Sequence, residues 1–138
     1  MRVLGLDIGH KRIGVAVSDP LGITAQGLTV ITYAQESQAL QKLADICREY
    51  AVERIVAGLP LNMDGSRGEA VKYVDQFARK LKDLTGLPVI MVDERLSSRA
   101  AERALISGGM RRRGRKAVKD KIAAVLILES YLSAATPD

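Results

Sequence analysis

Three acids stand where a carboxylate is costly unless it has work to do. Asp7 lies inside the apolar run Val3-Leu4-Gly5-Leu6-Asp7-Ile8, where an ionised side chain demands a positive partner. The plainer reading, a turn residue of an Asp-x-Gly hairpin, stands beside it. Asp93-Glu94-Arg95 closes the short apolar stretch Val89 to Val92, which places a carboxylate at the end of a buried strand, the edge where open α/β sheets bind ligands. Side chains alternate along a strand, so only one of Asp93 and Glu94 can join a given site. Glu94 is the expected member, with Asp93 as the alternative. Asp120 falls on one helical stripe with Ala124, Ile127 and Tyr131, which puts an acid on an apolar face near the N-terminal end of a buried helix. Its plainer reading is a first-turn acid stabilised by the helix dipole.

Carboxylates held together repel and raise one another's pKa, and a divalent cation reverses this. Hard oxygen ligands suit Mg²⁺ or Mn²⁺. Such a cation can ionise a water, polarise a phosphoryl oxygen and stabilise a leaving oxygen, and a pair about 4 Å apart can do all three in an in-line displacement. Hydrolysis of phosphodiester bonds is the natural use. With one histidine and one cysteine in the chain, zinc of the nitrogen and sulfur type and histidine acid–base catalysis are both disfavoured, and His10 is expected to be solvated in a turn.

The cations lie beside these acids. Lys11, Arg12 and Arg95 flank Asp7 and Glu94 and are placed to hold a scissile phosphate. Arg111, Arg112, Arg113, Arg115 and Lys116 form a basic run just before Asp120, read as a loop that docks a nucleic-acid backbone without regard to sequence. Ordinary solvated charge is the alternative for each. Aromatic residues make up 4% of the chain and tryptophan is absent, so recognition through backbone and shape is expected rather than base stacking.

These residues need a scaffold. The 138 residues, 47% hydrophobic and 27% charged, suit one globular domain over 1–138. A net charge of +5 favours a polyanionic partner. No apolar run reaches the roughly 18 to 20 residues of a membrane span and no leader pattern opens the chain, which points to the cytoplasm and away from membranes. Cys47 falls in line with Leu40, Leu43 and Tyr50 as a core residue. Strands are expected over Arg2 to Asp7, Ile13 to Ser18 and Ile23 to Tyr33, joined by tight turns. A helix over Glu36 to Tyr50 and a strand over Glu53 to Leu59 follow. The next helix should be opened by a Ser66/Glu69 capping box and closed at Gly86. After the strand at 89–92 come a helix from Ser97 or Ser98 to Gly108-Gly109 and a last helix to about Ser133. The order predicts an α/β fold with a mixed five-stranded sheet, three antiparallel strands then two parallel ones, flanked by helices.

Four motifs, in order, are Gly5-Leu6-Asp7-Ile8-Gly9-His10-Lys11-Arg12-Ile13-Gly14-Val15-Ala16, Gly58-Leu59-Pro60-Leu61-Asn62-Met63-Asp64-Gly65, Asp93-Glu94-Arg95-Leu96-Ser97-Ser98 and Asp120-Lys121-Ile122-Ala123-Ala124. Through them the whole chain resembles the YqgF family, bacterial proteins described as Holliday-junction resolvases and as nucleases that process the 5′ end of the 16S rRNA precursor. The resemblance implies a ribonuclease H-like fold, metal-site roles for Asp7, Glu94 and Asp120, and a site-loop role for Asn62. The chain departs at His10, where the family more often carries a small hydroxyl residue, a difference that bears on substrate contacts rather than on the chemistry. Two other classes remain open. One is a phosphotransferase of the actin and sugar-kinase type, for which a second domain and a second Asp-x-Gly hairpin are missing. The other is a non-catalytic nucleic-acid binder. A resolvase should act as a twofold dimer, whereas an RNA-processing enzyme, with ribosomal particles as partners, can act as a monomer.

Overall fold

The computed structural model describes residues 1–62, 64–93 and 112–135, with the side chains of the last helix described from 119 to 134. β1 (Arg2–Ile8), β2 (Arg12–Ser18) and β3 (Ala25–Thr32) form the expected antiparallel meander. β4 (Val52–Leu59) lies parallel to β1 and β5 (Val89–Asp93) parallel to β4, giving the sheet order β3-β2-β1-β4-β5. α1 (Glu36–Glu49) and α2 (Glu69–Thr85) are the crossovers into the two parallel strands; parallel strands need such helices because no tight turn can return the chain.

Strand alternation splits the core in two. Leu4, Leu6 and Ile8 of β1 pack with Leu43 of α1 and Phe77 and Leu81 of α2 on one face. Val3 and Val56 face the other way, against Ala124, Ile127, Leu128 and Leu132 of α3 (Arg112–Ala135). β3 starts two residues later than its β-branched pattern suggests because Asp19 gathers the amides of Leu21, Ile23 and Thr24 into a turn.

Two local expectations fail for identifiable reasons. Ser66 does not cap α2: Gly68 is the N-cap and no side chain bonds there. Ser66 is held instead within its loop, its hydroxyl by the Asn62 amide at 2.9 Å and its N–H by Asp64 Oδ1 at 2.8 Å. The described part of the basic run is not a loop either, since 112–116 form the first turn of α3 and its continuation. Gly86 closes α2 in the left-handed conformation, φ 74°, as expected. The expected helix from Ser97 or Ser98 to Gly108-Gly109 lies outside the described residues.

Candidate active site

Asp7 is a strand residue and not a turn residue: it pairs in register with Gly14 of β2. Leu6 and Ile8 go to the α1/α2 core, so alternation turns Asp7 to the face that α3 covers. Gly14 decides how near α3 can come. A Cβ at Gly14 would lie 1.9 Å from the Asp120 carbonyl oxygen, so only glycine permits the helix backbone to rest there. Gly5, two residues before Asp7, plays the same part further along, since its Cβ would meet Leu128 Cβ at 2.7 Å. Asp120 thus arrives beside Asp7 through backbone-to-backbone packing, about two turns into α3. That position corrects the first-turn placement, and with it the helix-dipole explanation of this acid.

Asp7, Gly9, His10, Lys11, Arg12 and Asp120 line one cavity of about 140 Å³. Arg12 Nε stands 3.1 Å from Asp120 Oδ2, and the carboxylate's side chain is only 19% exposed. The cation therefore supplies the counter-charge that a shielded acid requires.

The hairpin carrying these cations is braced from beneath. The Gly9 N–H donates to the Arg12 carbonyl at 2.9 Å and the Tyr33 N–H to the Lys11 carbonyl at 3.0 Å. Tyr33 also donates its hydroxyl proton to the Gly9 carbonyl, 2.5 Å away. Its single proton being spent there, Tyr73 is the donor in the 2.5 Å Tyr73–Tyr33 hydroxyl pair. Burial, reinforced by the Tyr73 hydroxyl, pushes the Tyr33 phenol well above its ordinary value. His10 is exposed but not merely solvated, since its ring stacks on Tyr73 with centroids 4.1 Å apart and planes at 33°. Tyr33 and Tyr73 escape sequence reasoning because Tyr33 lies 24 residues from Gly9 and 40 from Tyr73, and no local spacing marks them.

The remaining candidates divide. Asn62 ties its loop to Ser66 and is not among the residues lining the cavity. Asp93 ends β5 and, by alternation with Val89 and Met91, belongs to the α1/α2 face, opposite Asp7. Glu94, Arg95 and Arg111 lie outside the described residues, as do the side chains of Arg112, Arg113, Arg115 and Lys116. Cys47 is buried in the core, as expected, and burial pushes its thiol up to about 11. Among the described residues no group of three or more His, Cys, Asp and Glu side chains could hold a metal. The two carboxylates of the cavity are nonetheless hard oxygen donors from separate segments, a set whose chemistry fits Mg²⁺ or Mn²⁺ better than zinc.

A five-stranded mixed sheet in this order, with helices on both faces and an acid on the central strand, defines a ribonuclease H-like fold of the RuvC kind. The structure of T. thermophilus RuvC in complex with a Holliday junction substrate is similar with a TM-score of 0.62, at 17% identity, covering 99% of this chain and 97% of that one. Residues 1–134 match the family model RuvX, described as Holliday junction resolvase, and the chain belongs to that family, the YqgF family of the sequence resemblance. A protein of Syntrophomonas wolfei named "Putative pre-16S rRNA nuclease" is 48% identical over 132 residues, covering 96% of this chain and 94% of its own. A Geobacillus protein of the same name is 52% identical over 134 residues, covering 96% and 97%. No helix among the described residues is long and apolar enough to cross a membrane.

Proposed function

We propose that residues 1–138 act as one domain, a nuclease dependent on Mg²⁺ or Mn²⁺ that hydrolyses phosphodiester bonds in structured nucleic acid. The observation that carries this reading is the pairing of Asp7 and Asp120 in one cavity with Lys11 and Arg12. Asp7 and Asp120 would hold the cation, and Glu94, following a residue that faces away from them, is the proposed third carboxylate. The cation, when bound, supplies Lewis acidity toward a water and a phosphoryl oxygen. Arg12 holds Asp120 in position and, with Lys11, meets the charge of an incoming phosphate. The braced hairpin fixes the backbone that carries both cations, and Asp120 fixes the Arg12 side chain as well, which reduces the reorganisation that electrostatic stabilisation would otherwise require. Asn62, Arg95, Arg111, Arg112, Arg113, Arg115 and Lys116 are proposed to contact the rest of the substrate.

The substrate favoured by the names of its relatives is the 5′ end of the 16S rRNA precursor, met in the cytoplasm on ribosomal particles by a monomer or a homodimer. The second reading, a resolvase of DNA junctions, is favoured by the description of the family. The phosphotransferase alternative has no support from the family, and a non-catalytic binder would have no use for two acids in one cavity. Cleavage of a labelled four-way DNA junction and of a labelled 16S precursor fragment, each with Mg²⁺, Mn²⁺ or EDTA, tests the proposal, with Asp7→Asn as control. Metal-dependent cutting of one substrate, lost in the variant, is expected and identifies the target. Tight binding of either substrate without cutting of either would overturn the catalytic reading.

A further inference from the structure

Three of the chain's five Phe and Tyr side chains, Tyr33, Tyr73 and Phe77, gather with its single histidine, while Tyr50 and Tyr131 lie against Arg2 and Arg54. There are one Phe, four Tyr and no Trp, yet Phe77, Tyr73 and the single histidine form one pile, with Tyr33 bonded to its side. Phe77 is fully buried in the core. Tyr73 follows it with ring centroids 6.4 Å apart, and His10 lies on Tyr73 at 4.1 Å. The pile therefore rises from the interior to an exposed ring, and that ring belongs to the wall of the cavity lined by Asp7, Lys11, Arg12 and Asp120. A surface imidazole gains little from such support by itself. What the support provides is a platform already fixed in orientation, because Tyr73 is tied to Tyr33 and Tyr33 to the hairpin carbonyl of Gly9. A flat ligand meeting a fixed ring loses less freedom than one that must order it.

From this geometry we propose that His10 is the stacking seat for one unpaired nucleobase of the strand whose phosphate enters the cavity. Lys11 and Arg12 line the same cavity as His10, so a phosphate held at these cations leaves the adjoining nucleotide within reach of the imidazole. Every base has a π-face, so the seat is tolerant of sequence. It is intolerant of pairing, since a base within a continuous duplex is already stacked on its neighbours. The substrate class is thereby narrowed to nucleic acid with a single-stranded or splayed nucleotide at the reacting phosphate. The inference deepens the reading of the cavity as a nucleic-acid site and rests on it, but does not require that the chain cut.

The test is binding of a short labelled single-stranded RNA to the full chain in EDTA, with one abasic nucleotide moved along the strand. Wild-type protein should lose about fivefold or more in affinity when the gap reaches one particular position. His10→Ala should bind the intact strand as weakly as wild type binds that gapped strand, and should ignore the gap. His10→Phe should restore both the affinity and the sensitivity. If His10→Ala weakens the intact and gapped strands by the same factor, His10 merely braces the hairpin and the proposal falls. It falls equally if no position of the gap matters to wild type. A chain that cuts neither substrate yet keeps the positional signature would lose its nuclease reading and retain this one.

Discussion

The two faces of the sheet are packed by opposite rules. Under α1 and α2 the packing is bulky, with Leu4, Leu6, Leu43, Phe77 and Leu81 fully buried in one cluster. Under α3 the sheet presents Gly5 and Gly14, and helix backbone rests almost directly on strand backbone. Large side chains give the first face much apolar area to bury, and so much of the stability. Small ones give the second face a fixed distance of approach, and so the placement of an acid. Most of the apolar packing and the candidate site are thus assigned to different sides of a single sheet.

The strongest way to break this comparison is Gly14→Ala. The added methyl collides with the Asp120 carbonyl, so α3 must shift, and misplacing a catalytic group by about 1 Å can cost on the order of a hundredfold in rate. Steady-state cleavage of whichever substrate the chain cuts should fall at least that far, more than any loss of folded protein measured by circular dichroism; a wild-type rate would show that Gly14 does not set the site. Leu43→Ala attacks the opposite face. It should cost about 2–5 kcal/mol in urea unfolding while the remaining folded protein cuts at the normal rate, and a specific loss of activity would mean that the faces are coupled.

Replacing Arg111, Arg112 and Arg113 together by alanine should weaken binding and flatten its salt dependence, by about 0.9 in the logarithmic slope for each phosphate of duplex DNA that is no longer neutralised. An unchanged slope would remove this segment from the binding surface. The smallest effect belongs to the turn between β2 and β3. There the Thr24 amide, then those of Ile23 and Leu21, hold the Asp19 carboxyl below its ordinary 3.8 against an opposing contribution from desolvation. A lowered folded value means that the ionised form stabilises the fold above about pH 4 and ceases to do so as pH falls through the folded value. Asp19→Asn should therefore flatten the acid limb of the stability curve and leave cleavage at neutral pH untouched.

Much of this was legible in the chain because it is local. The place of Asp7 inside the apolar run Val3 to Ile8 marks an acid that needs a partner, and the spacing of Asp120 with Ala124 and Ile127 marks the helix face that meets the sheet. The strand order follows from short turns and crossover helices. What was not legible depends on partners distant in sequence. Nothing near Gly14 announces that a helix carbonyl will rest on it, and nothing near His10 announces Tyr73. Ser66 and Glu69 have the spacing of a capping box, but Asn62 and Asp64 compete successfully for Ser66. The basic run contains Gly114, a weak breaker, among Arg and Lys residues that are good helix formers, and the helix wins.

The central claim is that Asp7 and Asp120, though more than a hundred residues apart in sequence, make one cation site. Calorimetric titration of Mn²⁺ into wild type, Asp7→Asn and Asp120→Asn, with folding checked in each, tests it without any substrate. Binding in the wild type that is weakened by more than about tenfold in both variants, at least the size seen when a mere outer partner of a metal ligand is removed, is the predicted result. Equal Mn²⁺ affinity in all three proteins would contradict it.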